Sequence, residues 1–156
     1  MMLKESLEEL RLNYVDLYLL HFPVGTNYVE RCLVTPPTML KLENSDHVEL
    51  CKKMEEQVDA GRTKAIRLSN FNKKQIVTIL KSCRIKPACL QIEIQVAIQQ
   101  RELVDFCHKN DFVVVAYSPL ASPGYNNFLH TIGHEGKELP KMLQNPVIKQ
   151  IAEIIT

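Results

Sequence analysis

What the chain lacks narrows its class before any motif is read. Charge of one sign is missing: 19 Lys and Arg stand against 18 Asp and Glu, a net charge of +1. With no long basic stretch there is no electrostatic footprint of a nucleic-acid binder. No apolar run reaches the roughly 20 residues of a membrane-spanning helix, so no membrane partner is expected. The opening Met1-Met-Leu-Lys-Glu-Ser-Leu-Glu-Glu puts acids where a signal peptide has its apolar region, which makes the cytoplasm the expected location. The five cysteines, Cys32, Cys51, Cys83, Cys89 and Cys107, are odd in number and none has C-x-x-C spacing. Free buried thiols fit that pattern better than a disulfide framework or a zinc site. Neither G-x-G-x-x-G nor G-x-x-x-x-G-K-[ST] occurs, so a doubly wound sheet would lack its usual phosphate-binding turn.

What is present is a repeated strand ending. Tyr14-Val-Asp-Leu-Tyr-Leu-Leu-His21-Phe-Pro23 is an apolar run that stops at a histidine and then a proline. Proline has no N–H with which to extend a ladder. Lys64-Ala-Ile-Arg-Leu-Ser69-Asn70 ends in small polar groups, and Gln91 and Tyr117 close two further apolar segments. Four polar strand ends imply one site assembled from several βα units.

Around these strands the pattern alternates. Leu3, Leu7 and Leu10 fall at i, i+4 and i+7, the end of an amphipathic helix. Val24–Asn44 has no clear period and reads as a long loop, of the kind that is functional or disordered. Asp46 with Glu49 and Asn72 with Gln75 read as helix caps, and Gly61 as a left-handed helix exit. Cys51, Met54 and Val58, then Ile76, Ile79 and Leu80, then Leu103, Phe106 and Cys107, supply inward stripes. A second loop covers Leu120–Leu139. Asn145-Pro146 opens a last helix, in which Val147, Ile148, Ile151, Ala152 and Ile155 follow as the apolar pattern.

Strands apolar on both faces, alternating with helices, give an α/β fold with a parallel sheet, and a TIM (β/α)8 barrel is favoured over a doubly wound sheet. Such a barrel needs eight strands and typically about 250 residues. About four βα units are legible, so residues 1–156 are expected to form an incomplete barrel domain cut at both ends. Its open strand edges would invite self-association.

At these residues the sequence resembles the aldo-keto reductase family. Ser6-Leu-Glu-Glu-Leu-Arg-Leu-Asn-Tyr-Val-Asp-Leu-Tyr-Leu-Leu-His21 is similar to the stretch that ends in the family's catalytic histidine. Asp59-Ala-Gly-Arg-Thr-Lys-Ala-Ile-Arg-Leu-Ser69-Asn70-Phe-Asn is similar to its G-x-x-K-x-I-G-x-S-N-F signature. Leu90-Gln91-Ile-Glu93 matches its Q-x-E strand, and Ala116-Tyr117-Ser118-Pro119-Leu120 its A-Y-S-x-L strand. The resemblance implies NADPH-dependent reduction of aldehydes and ketones, with a small carbonyl compound as substrate. It implies that His21 orients the carbonyl. Ser69, Asn70 and Gln91 would hold the nicotinamide carboxamide, and Tyr117 would stack on the ring. Ser118, Leu120 and Ser122 would begin the pyrophosphate loop.

The departures are specific. No segment corresponds to the family's general-acid tyrosine, its lysine or the aspartate that partners the lysine, and Tyr14, Tyr18, Tyr28 and Tyr125 stand in other contexts. The segment for the adenosine phosphate is expected beyond Thr156. Arg67 replaces the signature glycine, and Gln95-Val-Ala97 replaces a histidine-proline-aromatic run. By strand alternation Arg67 shares a face with Ser69, where an unpaired guanidinium is costly. The expectation is a chain inactive on its own. The alternative is a truncated, non-catalytic protein acting through partner binding.

Several residues have plain readings. His130 and His134 have the i, i+4 spacing of metal ligands but read as a solvated loop, and no metal is expected. Lys52-Lys53 with Glu55-Glu56 reads as a charged helix face. Asp16 reads as a hydrogen-bonded carboxylate within a strand.

Overall fold

A computed structural model describes residues 2–26, 42–43, 45–125, 127, 131 and 141–155. They pack as two units, Met1–Ile92 with Glu102–Val115 and Glu93–Arg101 with Ala116–Thr156.

The first unit opens with α1 (Met2–Leu10), which buries Leu3 and Leu7. Leu10 is 61% exposed, so the expected stripe ends a turn early. Then come β1 (Val15–Leu20), the short β2 (Gly25–Thr26) and β3 (Leu42–Glu43), and α2 (His47–Asp59). They are followed by β4 (Thr63–Ser69), α3 (Lys73–Leu80), β5 (Cys89–Glu93), α4 (Arg101–Lys109) and β6 (Val113–Tyr117). Strands β1, β4, β5 and β6 form one sheet in that order. β1 runs parallel to β4 with Leu17 opposite Ala65, Leu19 opposite Arg67 and Leu20 opposite Leu68. β4 runs parallel to β5 with Arg67 opposite Cys89 and Ser69 opposite Gln91. The Val113 N–H donates to the Ala88 carbonyl at 3.1 Å. Four strands alternating with helices make an open sheet, a partial barrel of about four βα units.

Alternation explains the core. Ile66 and Leu68 on β4 and Leu90 and Ile92 on β5 share one face and are fully or almost fully buried. Cys51 and Met54 of α2 and Ile76 and Ile79 of α3 complete this core. Burial of both faces, expected for every strand, holds for neither outer strand. Val113 on β6 is 64% exposed, and Leu17 on β1 is also exposed. Each lies on a strand with, among the described residues, a sheet neighbour on one side only, so water reaches the other.

Helix ends form where the sequence marks them. Asp46 Oδ1 accepts from the N–H groups of Val48 and Glu49 at 2.9 and 3.0 Å. Asn72 and Gln75 form a reciprocal capping box. Gly61 follows α2 with φ +68°, a conformation that costs glycine nothing. The ends of the Val24–Asn44 loop are pinned: β2 and β3 pair antiparallel, and His47 Nε2 donates to the Pro23 carbonyl at 2.6 Å. Residues 27–41 of that loop, with Tyr28 and Cys32, lie outside the described residues.

One charged residue departs from expectation, and a second, Asp16, is hydrogen-bonded as expected. Glu55 does not sit on the charged face of α2, whereas Lys52, Lys53 and Glu56 do, with Lys53 bridged to Glu56 at 2.9 Å and to Glu49 at 3.8 Å. The Glu55 side chain is buried, and its Oε1 accepts from the N–H groups of Arg84 and Ile85 at 2.6 and 2.9 Å. Asp16 is exposed and paired with Lys64 at 2.7 Å.

Cys51, Cys83, Cys89 and Cys107 are free thiols. Burial, reinforced by Cys83 and Glu55, pushes the Cys51 thiol up to about 11 from its ordinary 9.0. The unfolded chain therefore loses that proton first as pH rises. The stability this thiol contributes is whole below pH 9 and is lost towards pH 11. Urea midpoints across that range should fall in the native chain and fall less in Cys51→Ala.

In the second unit Gln95 and Ile98 form an antiparallel bridge. A 3-10 turn, Met142–Gln144, leads into α5 (Pro146–Ile155), whose first turn is capped by Asn145 Oδ1 accepting from the Val147 N–H at 2.9 Å. The expected helix forms, but its apolar residues are left uncovered: none of the residues of α5 is buried. Its chief packing neighbour among the described residues is the 3-10 turn, too short to cover a helix face. Among the described residues no helix is long and apolar enough to cross a membrane.

Candidate functional site

Three strand ends meet in the first unit. β1 stops at Leu20, opposite Leu68, so His21 emerges level with Ser69. Phe22 and Pro23 then carry the chain away, and the exposed His21 ring lies 4.4 Å from the Phe22 ring. β4 ends at Ser69, which is almost fully buried and pairs in register with Gln91. Asn70 turns the chain with φ +63° in the left-handed region, where asparagine is among the few tolerated side chains. Its N–H donates to the Gln91 carbonyl at 3.0 Å. Its side-chain amide donates to the His21 carbonyl at 2.9 Å and to Ser69 Oγ at 3.2 Å. The structure thus brings His21, Ser69, Asn70 and Gln91 together at the C-terminal ends of three adjacent strands.

The second unit holds the rest of the predicted set. β6 ends at Tyr117, which is half-buried; burial first and the Glu93 charge second push its phenol up. Its carbonyl accepts from the Ile94 N–H at 3.4 Å. Ser118 and Ser122 both have positive φ, +49° and +46°. Ser122 Oγ donates to Ser118 Oγ at 2.7 Å, and the Ala121 N–H donates to the Ser118 carbonyl at 2.8 Å. Leu120 projects from this tight turn and is exposed. Ser118, Leu120 and Ser122 therefore belong to one compact loop directly after a strand.

One cluster escaped sequence reading. Lys64 Nζ donates to Asp16 Oδ1 at 2.7 Å and to the Tyr14 hydroxyl at 3.3 Å, and lies 4.4 Å from the centre of the Tyr14 ring. Asp16 first, then Tyr14, holds the ammonium above its usual range. Tyrosine, lysine and aspartate are the types the sequence resemblance implies for the general acid and its partners, but here they sit where β1 and β4 begin. Seven residues of near-extended chain separate Tyr14 from His21, about 23 Å at 3.3 Å each. The signal that would have found the cluster is the pairing of Val15 with Thr63, which only the fold supplies. His130 and His134 lie outside the described residues. Among the described residues no group of three or more His, Cys, Asp or Glu side chains could hold a metal ion.

A parallel open sheet with polar side chains gathered beyond the C-terminal ends of its strands is the active-face arrangement of a (β/α) barrel. Comparison with known proteins narrows that class. The model of the aldo/keto reductase family matches residues 1–154. Aldo-keto reductase family 1 member A1 of Gallus gallus is 38% identical over 155 residues, 97% of this chain and 44% of the relative. The NADPH-dependent aldose reductase GRE3 of Saccharomyces cerevisiae is 36% identical over 162 residues, 97% of this chain and 49% of the relative. The aldose reductase structure from Schistosoma japonicum superposes with a TM-score of 0.76 at 38% identity, covering 98% of this chain and 45% of that one. The chain belongs to the aldo/keto reductase family. It spans about half the length of the curated relatives it matches.

Proposed function

We propose that this chain carries the nicotinamide-facing rim of an NADPH-dependent carbonyl reductase, with small aldehydes or ketones as substrates and the cytoplasm as its location. The observation that supports the reading is the Asn70 junction, which ties the backbone carbonyls of His21 and Gln91 and the Ser69 hydroxyl together at the ends of three strands. A carboxamide has one acceptor and two donors, and the Ser69 hydroxyl with the Asn70 and Gln91 amides supplies complementary groups. The donor set fits that half of the cofactor. NADPH, when bound, supplies the hydride. His21, exposed beside Ser69, donates a hydrogen bond to the substrate oxygen and sets its angle. Tyr117 presents a ring that fixes the nicotinamide face, and the Ser118–Leu120–Ser122 loop begins the pyrophosphate cradle.

Residues 1–156 on this reading are an incomplete barrel domain, with no proton donor at its rim among the described residues. Tyr14 lies at the far end of β1. Tyr18 is an odd number of residues from His21 and so points to the other face of the sheet; burial also pushes its phenol up. The chain alone is then inactive and binds NADPH weakly. The exposed outer strands favour a second reading, a non-catalytic protein that pairs with a second copy of itself through β1 or β6, and neither reading involves nucleic acid or membrane. Quenching of NADPH fluorescence tests the first. One lost hydrogen bond is worth about 0.5–1.5 kcal/mol, so Gln91→Ala should raise Kd roughly 3- to 10-fold while Tyr14→Phe leaves it unchanged. Equal affinity in native chain and Gln91→Ala would refute the assignment.

A further inference from the structure

Among the described residues one buried side-chain nitrogen has no hydrogen-bond partner: Nε of Arg67. Its position makes this more than a loose end. Alternation along β4 puts Arg67 on the face of Ala65 and Ser69, away from the core formed by Ile66 and Leu68. Its register neighbours are Leu19 on β1 and Cys89 on β5. Leucine offers no acceptor and a thiol only a weak one. The guanidinium lies near Cys89, where its charge draws the thiol pKa down against a larger upward push from burial. None of the ion pairs among the described residues includes Arg67. A guanidinium stays charged at any pH a protein survives. The guanidinium therefore carries its charge on the face of the sheet away from the Ile66–Leu68 core, with no carboxylate among the described residues to neutralise it.

We propose that Arg67 is the cationic half of a carboxylate-binding subsite on this face, about 6.6 Å along β4 from Ser69. Carboxylate is the class that fits. The two Nη–H groups form a parallel pair that two coplanar oxygens accept end-on, and that approach needs no access to the shielded Nε. The same chemistry has two sources, a free small carboxylate and an Asp or Glu side chain of a second copy of this chain. The subsite stands whether or not the chain binds NADPH, and its test contains no cofactor.

The test follows the Arg67 Nε–H resonance in proton–nitrogen spectra of the full 156-residue chain, assigned by its loss in Arg67→Gly. Arg67→Lys serves the same assignment if the glycine variant does not fold. Sodium formate is titrated at constant ionic strength against sodium chloride. A saturable shift with formate, unchanged on dilution, supports the subsite and identifies a free carboxylate. A shift on dilution without formate, with sedimentation showing association that Arg67→Gly loses, supports it and identifies a second copy. A resonance that moves with neither formate nor protein concentration overturns it.

Discussion

Given NADPH and 4-nitrobenzaldehyde, the purified 156-residue chain is expected to oxidise the cofactor at least about 10²-fold more slowly than its full-length relatives. General acid catalysis supplies roughly 10²–10⁴ in rate, and on the proposed reading that donor is missing from the rim. A phenol at the start of β1 cannot substitute, because a general acid must come within about 3.2 Å of the atom it protonates. Tyr14→Phe should accordingly leave any residual rate unchanged. Turnover matching the relatives, abolished by Tyr14→Phe, would instead make the Tyr14–Lys64–Asp16 cluster the acid and would refute the rim as the reacting centre. Initial rates of NADPH absorbance loss decide between these outcomes.

The largest stability effect should come from Leu68→Ala. Leu68 is fully buried on a strand flanked on both sides, by β1 and β5. Truncating such a leucine costs about 2–5 kcal/mol, the lost transfer energy plus a cavity its neighbours cannot close. Leu17→Ala on outer β1 is the internal control. That side chain is 38% exposed, so less of it leaves water on folding and its loss should cost under about 1.5 kcal/mol. Urea midpoints at a common slope give both values. Equal losses at the two positions would mean that something covers the outer face of β1.

Local chemistry made much of this fold legible. The Asn72 capping box, the Gly61 exit, the Asn145-Pro146 start and the four long strands depend on residues a few positions apart, and a linear pattern records them. Grouping His21, Ser69 and Gln91 needed only the rule that parallel strands end on the same side. What stayed hidden depends on register or on coverage. Nothing near Glu55 in sequence says that its carboxylate receives the amides of Arg84 and Ile85, and nothing near Tyr14 says that Lys64 lies across from it. The stripes of α5 and the outer strands were readable as apolar, but the pattern does not state what packs against them. Leu10 fails for the same reason: periodicity gives a face its direction, not its extent.

Asn70 makes the strand ends behave as one bracket. Glycine would accept its φ of +63° but would drop both amide donations, while a β-branched residue would drop them and strain the backbone as well. Rim geometry and local rigidity therefore cannot be tuned separately at this position: any replacement that frees His21 also unlocks Ser69.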